Sequence, residues 1–235
     1  MEFLAVLTVT TAAVFLLRNL IMRMPVAFYL SACAVVVLLF AGSSGLLGVW
    51  WRPVILLVQR CMVALALFTV VMFIGVFAKD SRIGLWLRPI RAELSIIACI
   101  LCLGHMCAYA APYALRAFSG TMSASMAIAF WVAVALFVLL LVLGITSFGA
   151  VKKRLRTTTW KSIQRLAYVF FALAYVHMML MLAPAAVVGG AQALASVGMY
   201  SAVFLAYVVL RLCRAKKEAQ CERGDRDAAD ASILA

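Results

Sequence analysis

The sequence predicts an all-α protein, a polytopic transmembrane helical bundle of about seven helices, and three observations support that fold class. Hydrophobic residues make up 68% of the 235 and the mean hydropathy is +1.13, whereas a soluble domain is roughly half apolar. The apolar residues are gathered in runs close to the about 20 residues that a helix needs to cross a bilayer. The runs are much longer than barrel strands, and backbone groups in lipid must satisfy their own hydrogen bonds, so we expect helices.

Seven apolar runs are the predicted spans, and they cover residues 3–20, 25–41, 53–78, 92–115, 124–148, 161–183 and 190–210. The second run is the shortest and ends at the loop-like GSSG of residues 42–45. After Arg211 the apolar pattern stops, and a basic stretch followed by an acidic one predicts a disordered tail. The predicted organisation is an N-terminal helix pair (1–52), a helical core (53–210) and a cytoplasmic tail (211–235).

The positions of the basic residues predict the orientation of the chain in a cell membrane. If successive gaps between spans alternate between the two sides, 18 of the 21 lysines and arginines fall on one side, near residues 18–23, 79–91, 152–165 and 211–226. The other side receives Arg52, Arg60 and Arg116. Basic loops stay cytoplasmic, so we expect the N-terminus outside and the C-terminus in the cytoplasm. The first span begins with an acidic residue and shows no clear cleavage site, so it is predicted to be a retained anchor.

Several function classes find no support in the sequence. The net charge of +13 comes from residues between apolar runs, which indicates topology and contact with membrane lipid rather than nucleic-acid binding. Neither a G-x-G-x-x-G nor a Walker-type motif is present, so no nucleotide site is predicted. Cys99 and Cys102 form a C-x-x-C without the following histidine that covalent haem attachment needs, and packing is their expected role.

The two histidines are the candidate functional residues, because a polar ring inside a bilayer is costly. His105 lies about 14 residues beyond Arg91 and His177 about 16 beyond Lys161, so at 1.5 Å per residue both rings sit roughly 20–24 Å across the membrane. Two neutral imidazoles at one level on different helices can take both axial positions of one b-type haem. Arg116, just beyond the His105 helix, is a candidate partner for a haem propionate or an ordinary interfacial arginine.

Other interpretations remain open at this point. A haem-free transporter or receptor could use the histidines in a proton relay or in hydrogen bonds between helices. A structural or assembly subunit could bind haem without turnover. Small residues near the histidines, namely Gly104, Ala108 and Ala174, could leave room for a flat macrocycle or could serve helix packing.

From about residue 53 to 210 the sequence resembles the ferric reductase-like transmembrane domain. The resemblance is carried by R-x-E-L at residues 91–94, LGITS at 143–147, W-K-x-I-Q-R-L-A-Y at 160–168 and the following His177. It is most similar to the haem-binding membrane subunits that serve the periplasmic methionine sulfoxide reductase. The resemblance implies a six-helix core, to which the first span looks like an addition.

The resemblance also implies cofactors and partners. The family commonly has a further histidine where this sequence has Gln164, so it implies one haem rather than two. It implies an electron-transfer membrane subunit of an oxidoreductase system that serves an extracytoplasmic oxidoreductase. Because no flavin or NAD(P)H domain is recognised, electrons are expected from quinol or from a separate flavin reductase.

Overall fold

The computed structural model describes residues 2–43, 49–78 and 80–234. All the regular elements in this part of the chain are helices, which confirms the predicted fold class. The α-helices are α1 (Glu2–Arg23), α2 (Pro25–Ser43), α3 (Arg52–Gln59), α4 (Met62–Ile74), α5 (Arg82–Leu87), α6 (Arg91–Phe118), α7 (Ala124–Ser147), α8 (Gly149–Lys152), α9 (Thr157–Val187) and α10 (Ala191–Leu234). Of the predicted GSSG loop, Gly42 and Ser43 belong to the end of α2, and residues 44–45 lie outside the described residues.

Six helices of the described chain are long and apolar enough to cross a membrane, and a bent pair raises the number to seven if it counts as one span. The predicted number of seven is reached only if this bent pair counts as one span, and the continuous third span over 53–78 is wrong. That segment is two helices, α3 and α4, bent by 52°. Cys61 has a left-handed backbone at φ 58°, a conformation that a helix interior does not accommodate.

The helices alternate between two ends of the bundle. At one end Arg18 Nε of α1 donates to the Trp86 carbonyl, 2.8 Å away, and α6 and α9 begin here. We call this the basic end, because the gaps with the most arginine and lysine residues lie there. At the opposite end Arg60 and Glu2 form an ion pair of 3.1 Å. The first residues of α6 and α9 therefore lie at the same end of the bundle, as the predicted alternation of spans requires.

The core is centred on α4 and α6. Nine residues of α4 are buried, and the main buried cluster joins α4 to α1, α2, α6 and α7. Val14 and Leu39 of the N-terminal helix pair belong to this cluster together with Leu94 and Leu101 of α6. Packing is therefore continuous across residue 52, where the sequence suggests a boundary. Outward-facing residues are mainly apolar, which suits a lipid environment.

The last helix differs from the prediction at its C-terminal end. The sequence predicts a disordered tail over residues 211–235, whereas α10 continues to Leu234. Glu218 forms an ion pair of 3.1 Å with Arg214, one helical turn earlier, and another of 3.7 Å with Arg211. Such i,i+4 pairs and the good helix formers of this stretch favour continuation of the helix beyond the apolar run.

Candidate functional site

His105 lies on α6 and faces the point where α3 ends. Its ring nitrogen Nδ1 is 2.5 Å from the backbone oxygen of Gln59. Because α3 ends at Gln59, that carbonyl is one of the terminal groups left without the regular helical partner. The break at Arg60 and Cys61 therefore provides an acceptor for the imidazole.

His177 lies on α9 and faces α7. Its Nδ1 atom is 3.1 Å from the backbone oxygen of Ala129, within α7. The side chain is half-buried, as is that of His105. Each histidine is thus held by a backbone carbonyl of a neighbouring helix, through the same ring nitrogen.

This arrangement defines which nitrogen each ring offers. An Nδ1–H that donates to a carbonyl leaves Nε2 with a free lone pair, and metal-binding histidines are commonly held in this way. Both α6 and α9 pack against α7 and barely touch each other. Two imidazoles held in this way fit the donor set that a bis-imidazole haem site needs.

An aromatic row runs from His105 along α6 towards the opposite end. Tyr109 contacts the His105 ring with centroids 5.1 Å apart, and Tyr113 contacts Tyr109 at 5.9 Å. The guanidinium of Arg116 lies 5.9 Å from the Tyr113 ring centre and is exposed. Arg116 is 11 residues beyond His105, about 16 Å along the helix, so the structure does not bring these two side chains together. The sequence reasoning missed Tyr109, although its i+4 spacing from His105 could have indicated it.

The small residues near His105 serve packing. A Cβ added to Gly104 would lie 2.6 Å from Val36 Cγ2, so this glycine lets α2 approach α6. For Gly104 the structure therefore favours the packing alternative. Ala108 and Ala174 are partly buried against the main core.

The C-x-x-C cysteines also contact neighbouring helices. Cys99 Sγ lies 3.8 Å from the Leu140 oxygen of α7, and Cys102 Sγ lies 3.8 Å from Cys61 Sγ. All seven cysteines are free, in agreement with a packing role for this pair. In the described residues no group of three or more histidine, cysteine or acidic side chains could hold a metal ion, whereas an axial haem site needs only two imidazoles.

Two of the motifs singled out in the sequence meet at the basic end. Gln164 Nε2 donates to Thr146 Oγ1 at 3.1 Å, and Trp160 Nε1 donates to the Thr146 backbone oxygen at 3.0 Å. Gln164, at the position where a second haem ligand is expected in the family, is therefore engaged with the LGITS segment. The contact ties the start of α9 to the end of α7.

Residues 60–175 match the family described as ferric reductase like transmembrane component. The match covers about half of the chain, includes His105 and ends two residues before His177. An uncharacterized protein of Treponema pallidum (strain Nichols) is 35% identical over 199 residues, which is 81% of this chain and 54% of that protein. The chain thus spans about half the length of that relative.

No solved structure matches the chain. The family match and the helical bundle agree with the resemblance to the ferric reductase-like transmembrane domain that the sequence shows. The chain is a multi-pass membrane protein whose residues 60–175 are similar to the ferric reductase like transmembrane component.

Proposed function

We propose that this protein is a membrane electron-transfer subunit that binds one b-type haem between His105 and His177. It takes electrons from quinol or from a separate flavin reductase and passes them to an extracytoplasmic oxidoreductase. The resemblance to subunits that serve the periplasmic methionine sulfoxide reductase suggests an acceptor of that kind. The match of residues 60–175 to a ferric reductase-like family supports the general class.

The observation that carries this proposal is that both imidazoles make the same kind of contact with a backbone oxygen of a neighbouring helix. Each Nδ1 lies within hydrogen-bonding distance of a backbone oxygen, Gln59 for one ring and Ala129 for the other. A hydrogen bond from Nδ1 fixes the tautomer and the ring direction, and it makes Nε2 a better electron donor to a metal. These are the only two histidines of the sequence, and both carry this feature.

The residues of the chain would act by holding and orienting the group. His105 and His177 would hold the group through their ring nitrogens, and Tyr109 would limit rotation of the His105 ring by packing against it. A bound b-type haem supplies one-electron chemistry, in which iron alternates between Fe(III) and Fe(II). The apolar helices around the site lower the local dielectric constant and keep bulk water away. Arg116, exposed beyond the aromatic row, is the candidate contact for a propionate or for an acidic acceptor surface.

The test is absorption spectroscopy on full-length protein from haem-replete cells. We expect a Soret band, a b-type α-band on reduction, and a haem content of one per chain. Replacing His105 or His177 by alanine should abolish the low-spin spectrum. The matched control is Gln164→Ala, which truncates another polar residue of α9 at the position of the expected second ligand and should leave the spectrum unchanged.

The alternative is a haem-free transporter or receptor, in which the same carbonyl contacts are hydrogen bonds between helices. A colourless wild-type preparation from haem-replete cells would favour that function. An unchanged spectrum in either histidine variant would remove that residue from the site. Rapid reduction by a menaquinol analogue, followed by reoxidation by a candidate acceptor, distinguishes electron transfer from a subunit that binds haem without turnover.

A further inference from the structure

Two cysteines from different parts of the bundle bring their sulfur atoms into contact beside the break between α3 and α4. Cys61 Sγ lies 3.8 Å from Cys102 Sγ, although the two residues are 41 positions apart in the sequence. Cys61 lies in the break itself, and Cys102 lies on α6, three residues before His105. Both thiols are free. The contact joins the break to the helix that carries His105, and the proposed function uses neither sulfur.

The separation of the two sulfurs is compatible with a disulfide bond after a small movement. Bonded sulfurs lie about 2.05 Å apart, so the two atoms must approach each other by about 1.8 Å. Rotation of one side chain about its Cα–Cβ bond moves a sulfur by a comparable distance. Because α3 and α4 both pack against α6, the backbones on either side of the break already lie beside that helix.

Cys99 provides a comparison on the same helix, because it lies three residues before Cys102. Its Sγ atom lies 3.8 Å from the backbone oxygen of Leu140 on α7. The two cysteines of the C-x-x-C therefore contact different neighbours. The sulfur partner of Cys102 is Cys61, which the spacing of the motif does not indicate.

The two thiols differ in exposure, which sets the order in which they react. Cys61 is partly exposed, whereas Cys102 is buried, with 7% of its surface exposed. A thiol must be accessible to react with an external oxidant, so Cys61 reacts first. Its neighbour Arg60 is exposed and pairs with Glu2 at the end opposite the basic end. The charge pattern predicts that this end faces the outside of the cell, where disulfide bonds persist.

We propose that Cys61 and Cys102 form a reversible disulfide bond that links the break to α6, with a small organic disulfide as the oxidant. The Cys61 thiolate attacks one sulfur of the oxidant, which forms a mixed disulfide and releases the first thiolate. The Cys102 thiolate then attacks the Cys61 sulfur and releases the second. Two protein thiols are oxidised, the oxidant is reduced to two thiols, and these take up the two protons that the protein thiols lose.

The disulfide bond restrains the backbone that contacts His105. Gln59, whose backbone oxygen lies at the imidazole Nδ1, is two residues before Cys61. A bond from Cys61 to α6 limits the movement of this segment, so the backbone amides of Arg60 and Cys61 should exchange hydrogen more slowly in the oxidised protein. The bond also closes a loop between residues 61 and 102, which lowers the freedom of the unfolded chain. Neither effect requires haem.

The test is peptide mass spectrometry of full-length protein in isolated membranes treated with dithiodipyridine. We expect a pair of peptides joined through Cys61 and Cys102, which dithiothreitol separates again. In Cys102→Ala the thiopyridine adduct should stay on Cys61, because no second thiol expels it. Cys99→Ala is the matched control on α6 and should form the bond like the wild type. Oxidation should raise the melting temperature of the wild type by several degrees and leave that of Cys102→Ala unchanged.

Several results would overturn this inference. A thiopyridine adduct that persists on Cys61 of the wild type would mean that Cys102 does not reach it. Bonds from Cys61 to Cys99 as frequent as those to Cys102 would indicate random encounters. An equal rise of the melting temperature in Cys102→Ala would separate the stabilisation from the bond. If Cys102→Ala does not fold, Cys61→Gly replaces it, since glycine suits the left-handed backbone at this position; oxidation should then leave Cys102 unlinked and the melting temperature unchanged.

Discussion

The imidazole Nδ1 of His105 lies 2.5 Å from the backbone oxygen of Gln59, at the residue where helix α3 ends. The break between α3 and α4 therefore has a local consequence for the candidate site. A continuous helix would use the Gln59 carbonyl within its own hydrogen-bond pattern. The bent pair instead presents this acceptor to α6 and fixes one of the two candidate ligands.

The backbone at the break can be tested at Cys61. In the left-handed region glycine is favoured over other residues by about 1–2 kcal/mol, and Cys61 has φ 58°. We therefore expect Cys61→Gly to be more stable than Cys61→Ala by about 1 kcal/mol, measured by thermal unfolding in detergent. At Cys102, in the interior of α6, the order should reverse, because glycine destabilises a helix interior relative to alanine. The same order at both positions would contradict a left-handed Cys61.

The close approach of α6 and α7 can be tested at Gly144. A Cβ at this position would lie 2.6 Å from Cys99 Sγ, so Gly144→Ala should lower stability by about 1–3 kcal/mol. The additional substitution Cys99→Ala removes the obstructing sulfur and should restore part of the loss. Gly198→Ala is the control, since no atom lies within 4 Å of its Cβ position. An equal effect at Gly144 and Gly198 would argue against the close contact.

The bond between Gln164 and Thr146 should contribute to stability. Its length is 3.1 Å, and measured hydrogen bonds between transmembrane helices average about 0.6 kcal/mol. A double-mutant cycle of Gln164→Leu and Thr146→Val in thermal or denaturant unfolding should give a coupling energy of about that size. Strict additivity of the two substitutions would mean that the side chains do not interact.

Arg116 should affect the redox potential of the site without affecting its assembly. Its positive charge favours the more negative, reduced state of a nearby centre, so Arg116→Gln should shift the midpoint potential in the negative direction. The shift should be small, because the side chain is exposed and solvent screens it. Potentiometric titration measures it, with Arg52→Gln as a matched exposed arginine of the same end. Equal shifts in the two variants would remove the specific role from Arg116.

The sequence could predict the spans because hydropathy reports burial in lipid, and it could single out the two histidines because polar rings are rare there. It could not predict the break in the third span. The segment around Arg60 and Cys61 contains neither proline nor glycine, so nothing local marks a helix end. The break coincides with the left-handed conformation of Cys61.

The hydrogen-bond partners of the two histidines could not be predicted from the sequence either. Both acceptors, at Gln59 and Ala129, are backbone oxygens, which every residue has, so no pattern of residue types reveals them. The role of Gly104 depends on Val36, a residue of another helix. Charge pattern predicted which residues gather at the basic end, but the pairing of Arg211 with Tyr168 required the packing of α9 against α10.

The central claim is that His105 and His177 bind the same iron, and isotope labelling tests it directly. Since the chain has two histidines, growth on ¹⁵N-histidine labels these two side chains alone. Pulsed electron paramagnetic resonance of the oxidised protein should then show a low-spin ferric signal coupled to two labelled imidazole nitrogens. Each single alanine variant should lose one of them. A high-spin signal, or coupling to fewer than two labelled nitrogens in the wild type, would contradict the claim.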